Sequence, residues 1–108
     1  MGNRKPDKNI EYLIKGILTL QTPEECLSFF DDLCTVSELT EMSRRLQAAK
    51  MLSDNSIYSE IAAQTGLSTA TISRVNRCLK YGSDGYLTVL DRLDQAERRE
   101  KRRLTTDS

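Results

Sequence analysis

A row of small hydroxyls, one methyl and three cations fills a short stretch of the chain: Ser68, Thr69, Ala70, Thr71, Ser73, Arg74, Arg77 and Lys80. Hydroxyls and cations donate hydrogen bonds to phosphate oxygens. An arginine can take guanine O6 and N7 bidentately, and methyl groups meet the methyl of thymine. No acidic residue lies between Gln64 and Tyr81. A surface that must sit against phosphates needs that absence, because each carboxylate would repel the backbone it approaches. The chemistry on offer is recognition of double-stranded DNA through the major groove. Arg74 is the first candidate for direct base readout, with Thr69 and Ala70 next. Ser68, Thr71, Ser73, Arg77 and Lys80 are expected mainly to bond phosphate and fix register.

Such a row works only on a helix held at a fixed angle, and the residues around it encode one. Tyr58 to Lys80, YSEIAAQTGLSTATISRVNRCLK, reads as two short helices joined by a tight turn, with a skeleton of Ile61, Ala62, Thr65, Gly66, Leu67, Ile72 and Val75. The helices of a helix-turn-helix cross steeply, so the first must be small where the second passes over it, and Ala62 is that residue. Gly66 lets the chain leave the first helix through a left-handed conformation that costs a residue with a Cβ about 1–2 kcal/mol. Leu67 is the apolar residue of the turn. Ile61, Ile72 and Val75 fall at spacings that seal the angle between the helices, and Ser68 N-caps the second. Helix pairs of this shape also dock proteins, so a dimeric interaction module without specific DNA binding is the alternative reading.

Other chemistry is poorly provided for. The chain has three cysteines, Cys26, Cys34 and Cys78, with no CxxC pair and no histidine. Zinc is therefore not expected, and each cysteine reads as a small core residue. No serine or cysteine has a recognisable base, which argues against an enzyme. No apolar run approaches the ~20 residues that span a membrane, and MGNRKPDKN lacks the apolar core of a signal peptide, so a cytoplasmic protein is expected. At 108 residues, 38% hydrophobic and 30% charged, the composition fits one helix-rich domain that dimerisation would help to stabilise. Formal net charge is zero, but its distribution is uneven. Residues 24–41 hold six acids and no base, whereas residues 43–80 hold six bases (Arg44, Arg45, Lys50, Arg74, Arg77, Lys80) against Asp54 and Glu60. An acidic side and a basic side are expected.

In chain order, residues 1–8 read as a flexible arm carrying Arg4, Lys5 and Lys8. Residues 9–93 read as the helical DNA-binding and dimerisation domain, and 94–108 as a charged tail. Ile10, Leu13, Ile14, Ile17 and Leu18 recur at the spacing of one helical stripe. Thr22-Pro23-Glu24-Glu25 opens a second helix as N-cap, first-turn proline and capping-box glutamate. Cys26, Leu27, Phe29, Phe30 and Leu33 give that helix more apolar surface than one neighbour would cover, which suggests a partner chain. Thr35 and Glu38 repeat the box and open a longer helix to about Leu52, with Leu39, Met42, Leu46, Ala49 and Leu52 inside and Arg44, Arg45 and Lys50 outside. Asp54-Asn55-Ser56 is expected to cap the first helix of the motif. Tyr81-Gly82-Ser83-Asp84-Gly85 is a turn, and Tyr86, Leu87, Val89, Leu90 and Leu93 form a short closing helix. The basic residues Arg98, Arg99, Lys101, Arg102 and Arg103 belong to the tail.

Taken together, Ser43-Arg44-Arg45-Leu46 running into Met51-Leu52, the motif EIAAQTGLSTATISR, and Cys78-Leu79-Lys80 leading to a glycine-containing turn resemble the tryptophan-repressor superfamily, in its YerC/YecD branch. The resemblance covers residues 33–90. It implies an all-α fold of about six helices, an interleaved homodimer, and two recognition helices presented one DNA turn apart to a palindromic operator. It also implies a small-molecule corepressor site, since the family's namesake holds an indole amino acid between two arginines, and Arg44 and Arg74 fall at those places. Val75 stands where the namesake has glycine, and Cys34 replaces a threonine that helps hold the ligand. The valine side chain would fill the slot the ring needs, so tryptophan is not the expected ligand, and no metal or cofactor is implied.

Overall fold

Two capping boxes and a run of short apolar stripes give six helices in a computed structural model that describes Asp7 to Thr106. They are α1 (Lys8–Ile17), α2 (Pro23–Leu33), α3 (Val36–Ser53), α4 (Tyr58–Thr65), α5 (Thr69–Tyr81) and α6 (Gly85–Thr106). No strand occurs among the described residues. No described helix is long and apolar enough to cross a membrane. The fold is all-α, as the periodicity requires.

The helix starts follow their caps. Thr22 Oγ1 accepts the Glu25 N–H at 3.1 Å, while the Glu25 carboxylate reaches one residue past the cap to the Gln21 N–H at 2.9 Å. The box that opens α3 is reciprocal: Thr35 Oγ1 accepts the Glu38 N–H at 3.1 Å and Glu38 Oε1 accepts the Thr35 N–H at 2.8 Å. Hydrogen bonding from Thr35, its backbone N–H foremost and its side chain second, holds the exposed Glu38 carboxyl below the usual glutamate value. Asp7 caps α1 by accepting the Ile10 N–H. Helix α1 therefore begins at Lys8, which leaves the expected arm and joins the helix. Residues 1–6, with Arg4 and Lys5, lie outside the described residues.

The described residues fall into two compact units that divide within α3, residues 7–44 and 45–106. In the first unit neither α1 nor α2 has a buried residue. Ile10, Leu13, Ile14 and Leu18 of the α1 segment and Leu27 and Leu33 of α2 are all exposed. Part of the apolar surplus expected of these helices is exposed, while Ile17, Cys26, Phe29 and Phe30 are half-buried.

The second unit has a proper core: Ala48, Ala49 and Met51 from α3, Ile61 from α4, Leu67 from the turn, and Ile72 and Val75 from α5. Leu52, Tyr58, Ala62, Leu79, Tyr86 and Leu90 pack against it. The inner face of α3 thus differs from the expected stripe. Ala48 and Met51 are buried, whereas Met42 is 40% exposed. Close approach of another helix favours alanine over leucine, and both alanines are at 0% exposure. Arg45, expected outside, is half-buried, with its Nε buried and lacking a partner.

Two further elements depart from the sequence reading. Asp54-Asn55-Ser56 ends α3 without capping α4. Asn55 is left-handed at φ 66, the Ser56 N–H bonds the Met51 carbonyl and the Asn55 N–H bonds that of Leu52, the paired pattern of a Schellman end. The α4 N-cap is Ile57, which has no side-chain cap bond. The last helix is long, running 22 residues through the charged stretch to Thr106. Arg98 with Asp94, Arg103 with Glu100, and Gln95 with Asp91 supply same-side pairs in a sequence of good helix formers.

Candidate nucleic-acid interface

Gly66 is the hinge of the motif. It sits at φ 74, ψ 6 in the left-handed region, and its N–H closes α4 on the Ala62 carbonyl. Thr65 is buried, and its Oγ1 donates to the Ile61 carbonyl at 2.7 Å while accepting the Leu67 N–H at 3.2 Å. Two residues later Ser68 Oγ accepts the Thr71 N–H at 3.1 Å and starts α5. Ile61 and Ile72, at 0% exposure, and Val75, at 2%, close the angle between the helices. Each conformational requirement of a fixed helix pair is met by a residue whose type and position in the sequence suit it. Thr65 is the exception in role. It belongs to the skeleton, but the bridge its hydroxyl makes across the glycine has no sequence signal beyond a threonine before Gly.

With the pair fixed, α5 turns its remaining side chains outward. Ser68, Thr69, Ala70, Ser73, Arg74, Arg77 and Lys80 are exposed and Thr71 is half-buried. All eight belong to one helix and its cap, so the structure brings the whole expected set together. Arg74, Arg77 and Lys80 form no ion pair among the described residues. Ser68 Oγ donates to Thr71 Oγ1 at 3.0 Å, so of the two hydroxyls Thr71 keeps the proton free for an outside acceptor. Cys78, expected in the core, is exposed on this helix, while Cys26 and Cys34 are half-buried. Its neighbours Val75 and Leu79 turn inward, and residue 78 is carried outward with Arg74 and Arg77.

The residues matched to an effector site fall in both units. Arg44 is an exposed residue that ends the first unit, and Arg74 is exposed in the second. Val75 has its side chain in the core of that second unit. No group of three or more His, Cys, Asp or Glu side chains able to hold a metal occurs among the described residues.

Charge follows the two units. Residues 45–106 hold eleven bases against seven acids, and residues 7–44 hold three bases against eight acids. The zero net charge is thus the sum of a cationic second unit and an anionic remainder.

These features define a wholly helical helix-turn-helix protein. The family model described as Trp repressor protein matches residues 8–94, and the chain belongs to that family. It is 49% identical over 90 residues to the uncharacterised protein YerC of Bacillus subtilis (strain 168), covering 83% of this chain and 86% of YerC. Two crystal structures match with a TM-score of 0.79 and 48% identity over 82% of this chain: a candidate Trp repressor from Staphylococcus aureus, 89% covered, and a TrpR-like protein from Eubacterium eligens ATCC 27750, 91% covered. The fold is a regulator's and the family is not one of enzymes.

Proposed function

We propose that the chain is a sequence-specific DNA-binding transcriptional regulator, a repressor, acting in the cytoplasm as a homodimer. One helical domain over 9–93 places residues 68–80 of each copy in successive major grooves. The observation that carries this reading is the exposed face of α5, which has three cations without ion-pair partners among the described residues, exposed hydroxyls and no carboxylate, on a helix whose angle is locked by Gly66. A helix with charge of one sign and short side chains fits a groove lined by phosphates.

The dimer in this reading answers an unfilled need. The uncovered leucines and isoleucines of α1 and α2 invite a second copy. So does a furrow of about 300 Å³ between α3 and α6, floored by Leu46, Leu90 and Leu93. A single motif covers only a half-site, and pairing supplies the second half at high effective concentration. Tryptophan is not the effector in this reading, because the Val75 side chain occupies core where a ring would have to lie.

The test is binding of purified protein to genomic fragments spanning its own promoter region, at two salt concentrations, with and without L-tryptophan. Specific binding that weakens steeply with salt and ignores tryptophan is the expected result. Binding that requires tryptophan would refute the argument from Val75. No enrichment of any fragment would favour the docking module.

A further inference from the structure

Helix α6 continues to Thr106, well past residue 94 where the family match ends. Its carboxylates, more than its cations, are sorted by side. Arg92, Arg99 and Arg103 stand at spacings that return to one side of a helix, with Gln95 and Arg102 beside them, and all five are solvent-facing or at its margin. Leu90, Leu93, Asp94, Glu97 and Glu100 lie around the other side, with Arg98 and Lys101 among them. Asp91 borders the arginine side, but its carboxylate accepts from Gln95 Nε2 at 3.0 Å. Asp94 is held by Arg98 and Glu100 by Arg103, each at 2.9 Å. Arg92 and Arg99 have no ion-pair partner among the described residues. Of the six cations from 92 to 103, four, all arginine, fall on the row's side or at its margin.

We propose that the arginine side of α6 is a second phosphate-binding surface, which takes the backbone of duplex DNA and adds affinity without sequence preference. The proposal rests on the reading of α5 as a DNA-binding helix. Three observations carry it. Helix α6 packs on α5 within the same compact unit, so the two cationic rows belong to one body. That body carries the molecule's positive excess, eleven bases to seven acids over the described residues. And the row is of arginines, whose planar fork fits phosphate in a way that lysine does not. A helix that merely needed solvating would gain by spreading its carboxylates among its cations on every side. Here the side that carries Arg92, Arg99 and Arg103 holds no carboxylate, and Glu100 meets it only at its edge, through Arg103. From Arg92 to Arg103 the row is about 16 Å long, enough to pass several phosphates of one strand at ~3.4 Å of axis each. The α5 face alone offers Arg74, Arg77 and Lys80, a small set for a chain of zero net charge. The α6 row would supply the non-specific grip that this set lacks. The acidic stretch 24–41 of a second copy is the competing polyanion, and the test separates the two.

The experiment uses the full chain, a fluorescent duplex of ~30 base pairs of random sequence, and a salt series from about 50 to 200 mM. Arg92→Gln/Arg99→Gln is compared with wild type, with Arg92→Lys/Arg99→Lys, and with Arg77→Gln/Lys80→Gln, with helicity checked by circular dichroism. The Gln pair on α6 should weaken binding to every duplex alike and flatten the log–log salt slope by about 0.9 for each phosphate that is no longer neutralised. The Lys pair should keep most of the slope, which guards against a folding defect. Unchanged affinity and slope in the α6 Gln pair, with binding abolished in the α5 pair, would overturn this proposal and leave the α5 reading standing. Absence of salt-steep binding by wild type would instead overturn the α5 reading, and this proposal with it. Weaker self-association on sedimentation with an unchanged salt slope would overturn it in favour of the acidic stretch of a second copy.

Discussion

Thr65 and Leu67 are tied across Gly66 by one hydroxyl, whose oxygen takes the Leu67 N–H at 3.2 Å and gives its own proton to the Ile61 carbonyl at 2.7 Å. The bridge sits where the chain changes direction between α4 and α5, and both residues are buried. Thr65→Val keeps the shape but leaves the Leu67 N–H without its acceptor, which costs ~1–3 kcal/mol in a buried setting. Thr65→Ser keeps the bridge and should lose less. Urea denaturation of the two variants checks this. Equal loss in both would mean that packing of the methyl, and not the hydroxyl, holds the turn.

Gly82 and Gly85 flank the turn before α6 and should respond oppositely to alanine. A Cβ on Gly82 would lie 2.4 Å from the Cys78 carbonyl oxygen, so the end of α5 must shift to admit it. A Cβ on Gly85 meets nothing within 4 Å. Gly85→Ala should therefore stabilise by ~0.4–1 kcal/mol through the unfolded chain, while Gly82→Ala should destabilise. Gly66→Ala, at a left-handed position, should cost about 1–2 kcal/mol. Midpoints in urea order the three.

The parts of this structure that were legible in the sequence are those where one residue type answers one local demand. Gly66 at positive φ, Ser68 and Thr35 as caps, and the apolar set Ile61, Leu67, Ile72 and Val75 are of this kind. What was not legible depends on tertiary neighbours or on sums of weak terms. The inner face of α3 swings to Ala48 and Met51 because of what packs on it, which the spacing of leucines within α3 does not reveal. The length of α6 rests on pairs such as Asp94–Arg98, each worth only a few tenths of a kcal/mol. A charged run therefore looks like a tail until those terms are added. Asn55 resembles a capping residue for the next helix, yet its left-handed conformation serves the end of the previous one. For the interface, residue types located the α5 face, but only coordinates show that Ser68 spends its proton on Thr71.

Glu38 predicts a pH effect of fixed sign. Its carboxylate accepts the Thr35 N–H in the capping box, which holds the folded-state value below that of the unfolded chain. A depressed carboxyl contributes stability that is fully present above the unfolded value of about 4.3 and is lost as pH falls through the folded one. Thermal melts of wild type and Glu38→Gln should therefore differ by a constant amount from pH 7 to about 5 and converge once pH has fallen through the lowered folded-state value. The site is fully exposed, so added salt should shrink the difference. A gap that persists at low pH would trace to the shape of the amide and not to the charge.

Arg74 and Lys80 should separate base reading from phosphate holding. Both are exposed cations on α5 without ion-pair partners among the described residues, but Arg74 lies in the first half of the helix and Lys80 in its last turn. The N-terminal part of a recognition helix is the part that meets base edges. Arg74→Ala should thus cost ~1–3 kcal/mol on the preferred sequence and relax preference at one base pair, while leaving binding to random duplex nearly unchanged. Lys80→Ala should weaken all sequences alike and lower the salt slope by about one unit. Parallel titrations on a selected sequence and a scrambled one, each at several salt concentrations, measure both effects together. Equal loss on both duplexes for Arg74→Ala would place that arginine among the phosphate-holding residues and move base readout to Thr69 and Ala70. These occupy the first two positions of α5, where a methyl or hydroxyl can reach a thymine or adenine edge.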